Sequence, residues 1–349
     1  MRKLFQGKNL VVLLVCLALL MISVLFIRVP LPAISLPAEK IPGLMIGNFP
    51  ITNTIVATLL ADVTVLLLAF FAVRKVREIP RGVQNVMEWI IETFDGMLTD
   101  IGGKERARQW LPMFMTILLF LVVANWWELI PGVDSIGVLE PLEVSHYVSG
   151  GTINVGYLKG ETPILGIATL KAAKVSLSKV DQAAVQQDAL AAEQSGEEYH
   201  PHEDTKIGGY VLIPFVRAAA TDLNLALALA LISVIATQIV GMRTLGLKYW
   251  RRFLNPVITG IVVIDIFVGI LEFISEVAKL VSFSFRLFGN IFAGQILLFV
   301  MAFLVAFLIP VPFYGLEMFV GFMQAFVFAI LTFIFFEQAT HSHAGDVHH

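Results

Sequence analysis

Long unbroken apolar blocks, separated by short basic clusters, dominate the pattern of this chain. Leu10 to Ile27 is the first block and follows Arg2, Lys3 and Lys8. That arrangement marks either a cleaved signal peptide or a retained signal anchor. A weak cleavage motif stands at Ala33-Ile34-Ser35, and the retained anchor is preferred. The second block, Ile51 to Val73, ends at Arg74, Lys75, Arg77 and Arg81. The third, Trp110 to Ile130, follows Lys104, Arg106 and Arg108, and the fourth, Leu223 to Val240, ends at Arg243, Lys248, Arg251 and Arg252. A longer apolar region, Pro256 to Ile309, is interrupted by polar residues between Glu272 and Asn290, and Phe313 to Phe336 is the last block. A bilayer-spanning helix needs about 20 predominantly apolar residues, so each block is a candidate span. At about 1.5 Å per residue, Pro256 to Ile309 is far too long for one upright helix, and a strongly tilted or broken helix is expected.

Two stretches follow other rules. Val83, Val86, Met87, Ile90, Ile91, Phe94 and Met97 recur at helical spacing, which predicts an amphipathic interfacial helix over about 82–103. Pro131 to Phe215 contains Gly150-Gly151, a β-branched stretch at Thr152 to Val155, and a polar tract from Gln182 to Lys206. It reads as an extramembrane insertion with a few strands and a helix over Ser178 to Gln194. The expected fold is an all-α polytopic membrane protein of about six membrane helices. These include a long, strongly tilted helix hairpin near the C-terminus, and the insertion is partly β. The expected divisions are 1–37 (anchor or signal peptide), 38–130 (membrane helices), 131–215 (insertion), 216–336 (membrane helices with the hairpin) and 337–349 (tail).

Composition agrees with this picture. Of 349 residues, 57% are hydrophobic and 15% charged, against about 25% charged in globular domains. The lone cysteine, Cys16, allows no internal disulfide. Basic clusters at 2–8, 74–81, 104–108 and 243–252 are expected on the cytoplasmic side. The acidic insertion and the loop near Pro310 to Pro312 then lie outside, and the C-terminus is cytoplasmic. The alternation holds only if Pro256 to Ile309 crosses an odd number of times.

The candidate chemistry lies in that long region. Glu272, Ser275, Lys279, Ser282, Arg286 and Asn290 follow one another at intervals of 3, 4, 3, 4 and 4 residues, so they share one helix face, with Glu276 at its flank. A charge facing lipid costs roughly 2.5–3.5 kcal/mol even on the lenient insertion scale. The stripe must therefore face a partner, a wet cavity or the interface. Glu272, Glu276 and Lys279 either line a path or simply pair with one another at the cytoplasmic surface. Arg286 stands among Phe283, Phe285, Leu287 and Phe288, and the arginine guanidinium is the most persistent cation among side chains. On the last block, Glu317 and Gln324 are seven residues apart and share a face. A membrane carboxylate can take up and release a proton, and Gln324 is either part of a path or interhelical glue.

The string Ser282-Phe283-Ser284-Phe285-Arg286-Leu287-Phe288-Gly289-Asn290-Ile291-Phe292-Ala293-Gly294 resembles the signature of the a subunit of F-type ATP synthases, whose RLFGN core surrounds one essential arginine. Three further strings agree in order: Asn125-Trp126-Trp127-Glu128-Leu129-Ile130-Pro131, Ala220-Thr221-Asp222-Leu223-Asn224, and Gln324-Ala325-Phe326. The resemblance spans roughly 45–130 and 215–340. It implies two offset aqueous half-channels facing a ring of c subunits, each bearing one carboxylate, with Arg286 between the half-channels. By the same resemblance Asn290, Gln324, Glu317, Glu128 and Asn125 belong to the outer half-channel, and Glu272, Ser275 and Ser282 to the cytoplasmic one. Some family members carry Glu or His where this chain has Gln295, which cannot titrate; Glu317 is then the main ionisable relay on the outer side.

The implied partners are the c ring, b-type peripheral stalk subunits, the rest of the ATP synthase and the lipid bilayer, with no nucleic acid. The implied place is the inner (plasma) membrane, multi-pass. No cofactor, metal or nucleotide site is expected, and Gly102-Gly103-Lys104 lacks the frame of a phosphate loop. Asp62 is either a channel residue or an interhelical polar contact. His341, His343, His348 and His349 form either a metal site or, preferably, a disordered tail. Two rival classes are a stand-alone secondary transporter, which would favour internal inverted repeats not found between the halves, and a structural assembly subunit, which would not need a lone intramembrane arginine.

Overall fold

The computed structural model describes residues 15, 21, 38–47, 49–130, 132–133, 136–143, 152–158, 170–176, 206–250, 253, 262–304 and 310–340. Most of the first apolar block, the helix expected over Ser178 to Gln194, the polar tract up to 205, residues 254–261 and the histidine tail lie outside the described residues. The chain divides into two units.

One unit comprises Met1–Asn53, Pro131–Val216 and Ala293–Glu317. Its first strands, β1 (Lys40–Ile46) and β2 (Phe49–Thr52), pair antiparallel from Ile46↔Phe49 to Lys40↔Thr52, with Gly47 at φ 63° in the turn. The insertion contributes β3 (Gly137–Glu143), β4 (Thr152–Leu158), β5 (Leu170–Ser176) and β6 (Lys206–Pro214). They form one antiparallel sheet in the order β3-β6-β4-β5. The β4–β5 register is unbroken from Thr152↔Ser176 to Leu158↔Leu170. The β-branched stretch beginning at Thr152 thus forms a strand, as side chains stiff at χ1 favour.

The other unit comprises Thr54–Ile130, Arg217–Phe292 and Met318–His349. Among the described residues the helices of the chain are α1 (Asn53–Val73), α2 (Val83–Glu128), α3 (Leu223–Leu245), α4 (Val262–Leu304) and α5 (Pro310–Thr340). Of these, α1, α2, α3 and α5 are long and apolar enough to cross a membrane. At 43 residues, α4 is about 65 Å long, roughly twice the hydrocarbon thickness, so an upright α4 would stand far out of the bilayer.

The core of this unit explains the element order. Leu98, Trp110, Phe114, Leu118 and Leu121 of α2 bury against Ala226 and Ala230 of α3, Phe283, Leu287 and Ile291 of α4, and Ala325, Phe328 and Phe333 of α5. Trp110 meets Phe333 and Phe336 edge-on, each at 5.6 Å between ring centroids, and Phe283 lies 4.9 Å from Phe328. In lipid no water drives helices together, so small residues that let backbones approach carry much of the packing; Ala226, Ala230, Ala325 and Ala329 fill that role at 0% exposure.

Two boundaries differ from the sequence expectation. The amphipathic stretch and the third apolar block join in one element, α2, interrupted only by Gly103 at φ 77°, ψ 159°. Glycine alone takes that conformation without strain, so the chain bends there and resumes its helix. The last helix starts at Pro310, where a loop was expected, and runs on to Thr340. Proline suits a first helical turn, where its missing N–H is unneeded.

Candidate functional site

Helix α4 turns two faces to different surroundings. Phe283, Leu287 and Ile291, spaced four apart, are buried in the core. Ser275, Ser282, Arg286 and Asn290 are exposed, while Glu272 and Lys279 are half-buried. Exposed apolar side chains surround the polar ones, among them Phe273 at 61% and Phe285 at 57%. Arg286 makes no ion pair among the described residues. A guanidinium in such apolar surroundings is costly to leave against lipid.

Glu276 takes a different position. It is buried, its Oε1 accepts from Lys279 Nζ at 2.8 Å, and its Oε2 accepts from Gln238 Nε2 of α3 at 3.1 Å. Tyr249, in the short 3-10 turn Gly246–Trp250, donates its hydroxyl to Gln238 Oε1 at 2.7 Å. The Lys279 ammonium also lies 4.6 Å from the centre of the Phe335 ring of α5. Glu276 and Lys279 do pair with each other.

Asn290 Nδ2 donates to Gln324 Oε1 at 2.6 Å, joining α4 to α5. Gln324 is buried, and its Nε2 has no hydrogen-bond partner among the described residues. The string at the end of α2 is a set of interhelical ties: Asn125 Nδ2 to the Gly321 carbonyl at 3.1 Å, Trp126 Nε1 to the Met318 carbonyl at 3.0 Å, and Trp127 Nε1 to Thr64 Oγ1 at 3.0 Å. A Cβ at Gly321 would lie 3.1 Å from that of Asn125, so the glycine lets α2 approach α5 closely. Asn125 Oδ1 is a second buried polar atom without a hydrogen-bond partner among the described residues, and Glu128, three residues on, is buried as well. Asp222 caps α3 by accepting from Asn224 N–H at 2.9 Å and also accepts from Thr54 Oγ1 at 3.0 Å, fixing the start of α1.

In the other unit Glu317 is buried against Gly294, where any Cβ would collide with its carboxylate. Gln295, next to Gly294, is buried as well. Asp62 is exposed on α1.

These residues can be set beside known proteins. The family described as ATP synthase A chain matches residues 54–337. This chain belongs to that family. ATP synthase subunit a of Moorella thermoacetica is 27% identical over 299 residues, which is 85% of this chain and 95% of the relative. ATP synthase subunit a of Syntrophobacter fumaroxidans is 36% identical over 136 residues, 38% of this chain and 54% of the relative. As a member of the ATP synthase A chain family, the protein is a multi-pass membrane protein of proton transport and ATP synthesis.

Sequence reasoning missed several residues of this chain: Gly294 and Gly321 as points of close approach, Gln238 as partner of Glu276 and Tyr249 as partner of Gln238, and Thr54 as partner of Asp222. Gly294 stood inside the recognised string, so a signal was present. The others needed knowledge of which helices meet.

Proposed function

We propose that this chain is the proton-translocating stator subunit of a rotary F-type ATP synthase. Arg286 faces the carboxylates of a c ring across two offset half-channels, and proton flow between them drives rotation and ATP synthesis. One observation carries this reading: Arg286 is exposed, without an ion pair among the described residues, on an α4 face where a few polar side chains stand among exposed apolar ones such as Phe273 and Phe285. An ionised carboxylate passing through a low dielectric is tolerated opposite such a cation and hardly elsewhere. The ring would supply both the covering surface and the counter-charge.

The half-channels follow from the polar groups. Glu317, Gln324, Asn290, Glu128 and Asn125 serve the outer one. Buried amide atoms without a partner among the described residues, such as Gln324 Nε2 and Asn125 Oδ1, are the kind of group that ordered water satisfies. Glu272, Ser275 and Ser282 serve the cytoplasmic one. The chain sits in the plasma membrane with its C-terminus cytoplasmic, held by b-type stalk subunits, and leaves nucleotide chemistry to other subunits.

The test is proton pumping by inverted vesicles, with assembly checked in parallel. Arg286→Ala is expected to abolish ATP-driven pumping and ATP synthesis in an assembled complex, while passive proton leak persists or rises. Arg286→Lys is expected to fail largely, since an ammonium is a compact point charge without the planar fork. Substantial pumping by an assembled Arg286→Ala complex would refute the mechanism.

A further inference from the structure

We propose that the turn between α1 and α2 is a binding site for the phosphate headgroup of an anionic phospholipid. Lys75, Arg77 and Arg81, with Phe71, Gly82 and Gln84, line a pocket of about 370 Å³, within the size range of small-molecule sites. None of the three cations has an ion pair among the described residues. The loop is held in shape from within. Arg77 N–H donates to Gln84 Oε1 at 3.1 Å, and Gln84 Nε2 donates to the Arg77 carbonyl at 2.9 Å and to Glu88 Oε1 at 2.7 Å. Gln84 is buried, and Gly82 turns the chain at φ 64°. The neighbouring Arg74 is engaged elsewhere, 5.8 Å from the centre of the Phe70 ring. The three cations are thus carried on a braced loop.

Position selects a lipid over other anions. The pocket lies directly beyond α1, whose last turn exposes Phe70, Phe71 and Val73. Within the loop Val76 and Ile79, each 72% exposed, alternate with the cations. A free phosphate would leave both in water. A phospholipid seats its phosphate among the cations and its glycerol and acyl carbons against Phe71, Val76 and Ile79. Lys75, Arg77 and Arg81 are then satisfied where anionic lipid is concentrated.

The experiment uses the complete ATP synthase containing this chain, reconstituted in nanodiscs with photoactivatable phosphatidylglycerol or the matching phosphatidylcholine. Cross-linked peptides are mapped by mass spectrometry. Phosphatidylglycerol is expected to label the segment 71–84 well above phosphatidylcholine. Arg77→Gln and Arg81→Gln should each lower that labelling about fivefold, the equivalent of about 1 kcal/mol per charge, and Arg77→Lys should keep most of it. The single variants guard against misfolding, and assembly is verified by subunit content. Equal labelling by both lipids, or labelling unchanged in both glutamine variants, would overturn the proposal. So would full competition by inorganic phosphate, which would mean a free-anion site, or labelling only in complexes stripped of stalk subunits, which would mean a protein occupies the loop.

Discussion

Glu317 and Gly294 form a fitted pair: the carboxylate occupies the space a side chain at 294 would fill. The residue beside that glycine is Gln295, an amide that can pass hydrogen bonds but cannot change charge. In the proposed outer half-channel the exchangeable proton therefore falls to Glu317. Glu317→Gln is expected to slow proton-coupled ATP synthesis at least tenfold, about 1.4 kcal/mol or more in barrier terms, in complexes that assemble normally. Glu317→His should retain a measurable part, because imidazole exchanges protons near neutral pH. Near-normal synthesis by the glutamine variant would move the relay to Glu128. At this scale the sequence was partly legible. Arg286 stood out because a lone cation in an apolar frame is hard to explain otherwise. The fit of Glu317 to Gly294 was not visible, because a hydrogen atom in place of a side chain reveals nothing until the opposing group is known.

Helices α3 and α4 are tied by a partly buried polar cluster around Glu276, and its energetics set a testable sign. Glu276 is 7% exposed and binds both Lys279 and Gln238. Removing one member of a buried ion pair typically costs about 3–5 kcal/mol, whereas removing both costs far less. Glu276→Gln is expected to lower the thermal unfolding midpoint of the purified complex, and adding Lys279→Met should restore most of the loss. Failure of the second substitution to restore it would show that Glu276 acts through something other than Lys279. The stripe spacing had placed Lys279 on the same face as Arg286, and the ion pair with Glu276 accounts for its half-buried position. Spacing fixes the face a residue occupies, but a long lysine side chain reaches across to the neighbouring one. Helix ends were less legible than helix existence. The amphipathic helix was expected to end near 103, yet the helix resumes beyond Gly103, the residue of α2 that leaves helical geometry, and Gly102 packs with Phe333 3.0 Å from where its Cβ would be.

For the whole molecule, orientation is the property that decides to which side each proposed half-channel opens. It rests on the distribution of lysine and arginine among the loops. In a Cys16→Ser background, Ser195→Cys is expected to react with an impermeant thiol reagent from the outer side of intact cells. Lys248→Cys should react only in inverted vesicles. Labelling of position 195 from the cytoplasm alone would invert the half-channel assignment. The chain's membrane character and the family string were readable from residue order because each lies in one continuous stretch. The sheet order β3-β6-β4-β5 was not, since β6 pairs with strands far from it in sequence, and no local pattern encodes which edge a late strand joins.

The exposed Arg286 also bears on how such a protein is made. A newly inserted chain, before anything covers α4, presents a guanidinium to hydrocarbon at a cost of roughly 2.5–3.5 kcal/mol. The bilayer responds by thinning and admitting water around the charge. That deformation persists for as long as the charge is uncovered, a standing cost that a purely apolar bundle would not carry. The residue proposed to serve transport in the finished machine is thus a burden to the orphan subunit, relieved only by whatever surface covers it.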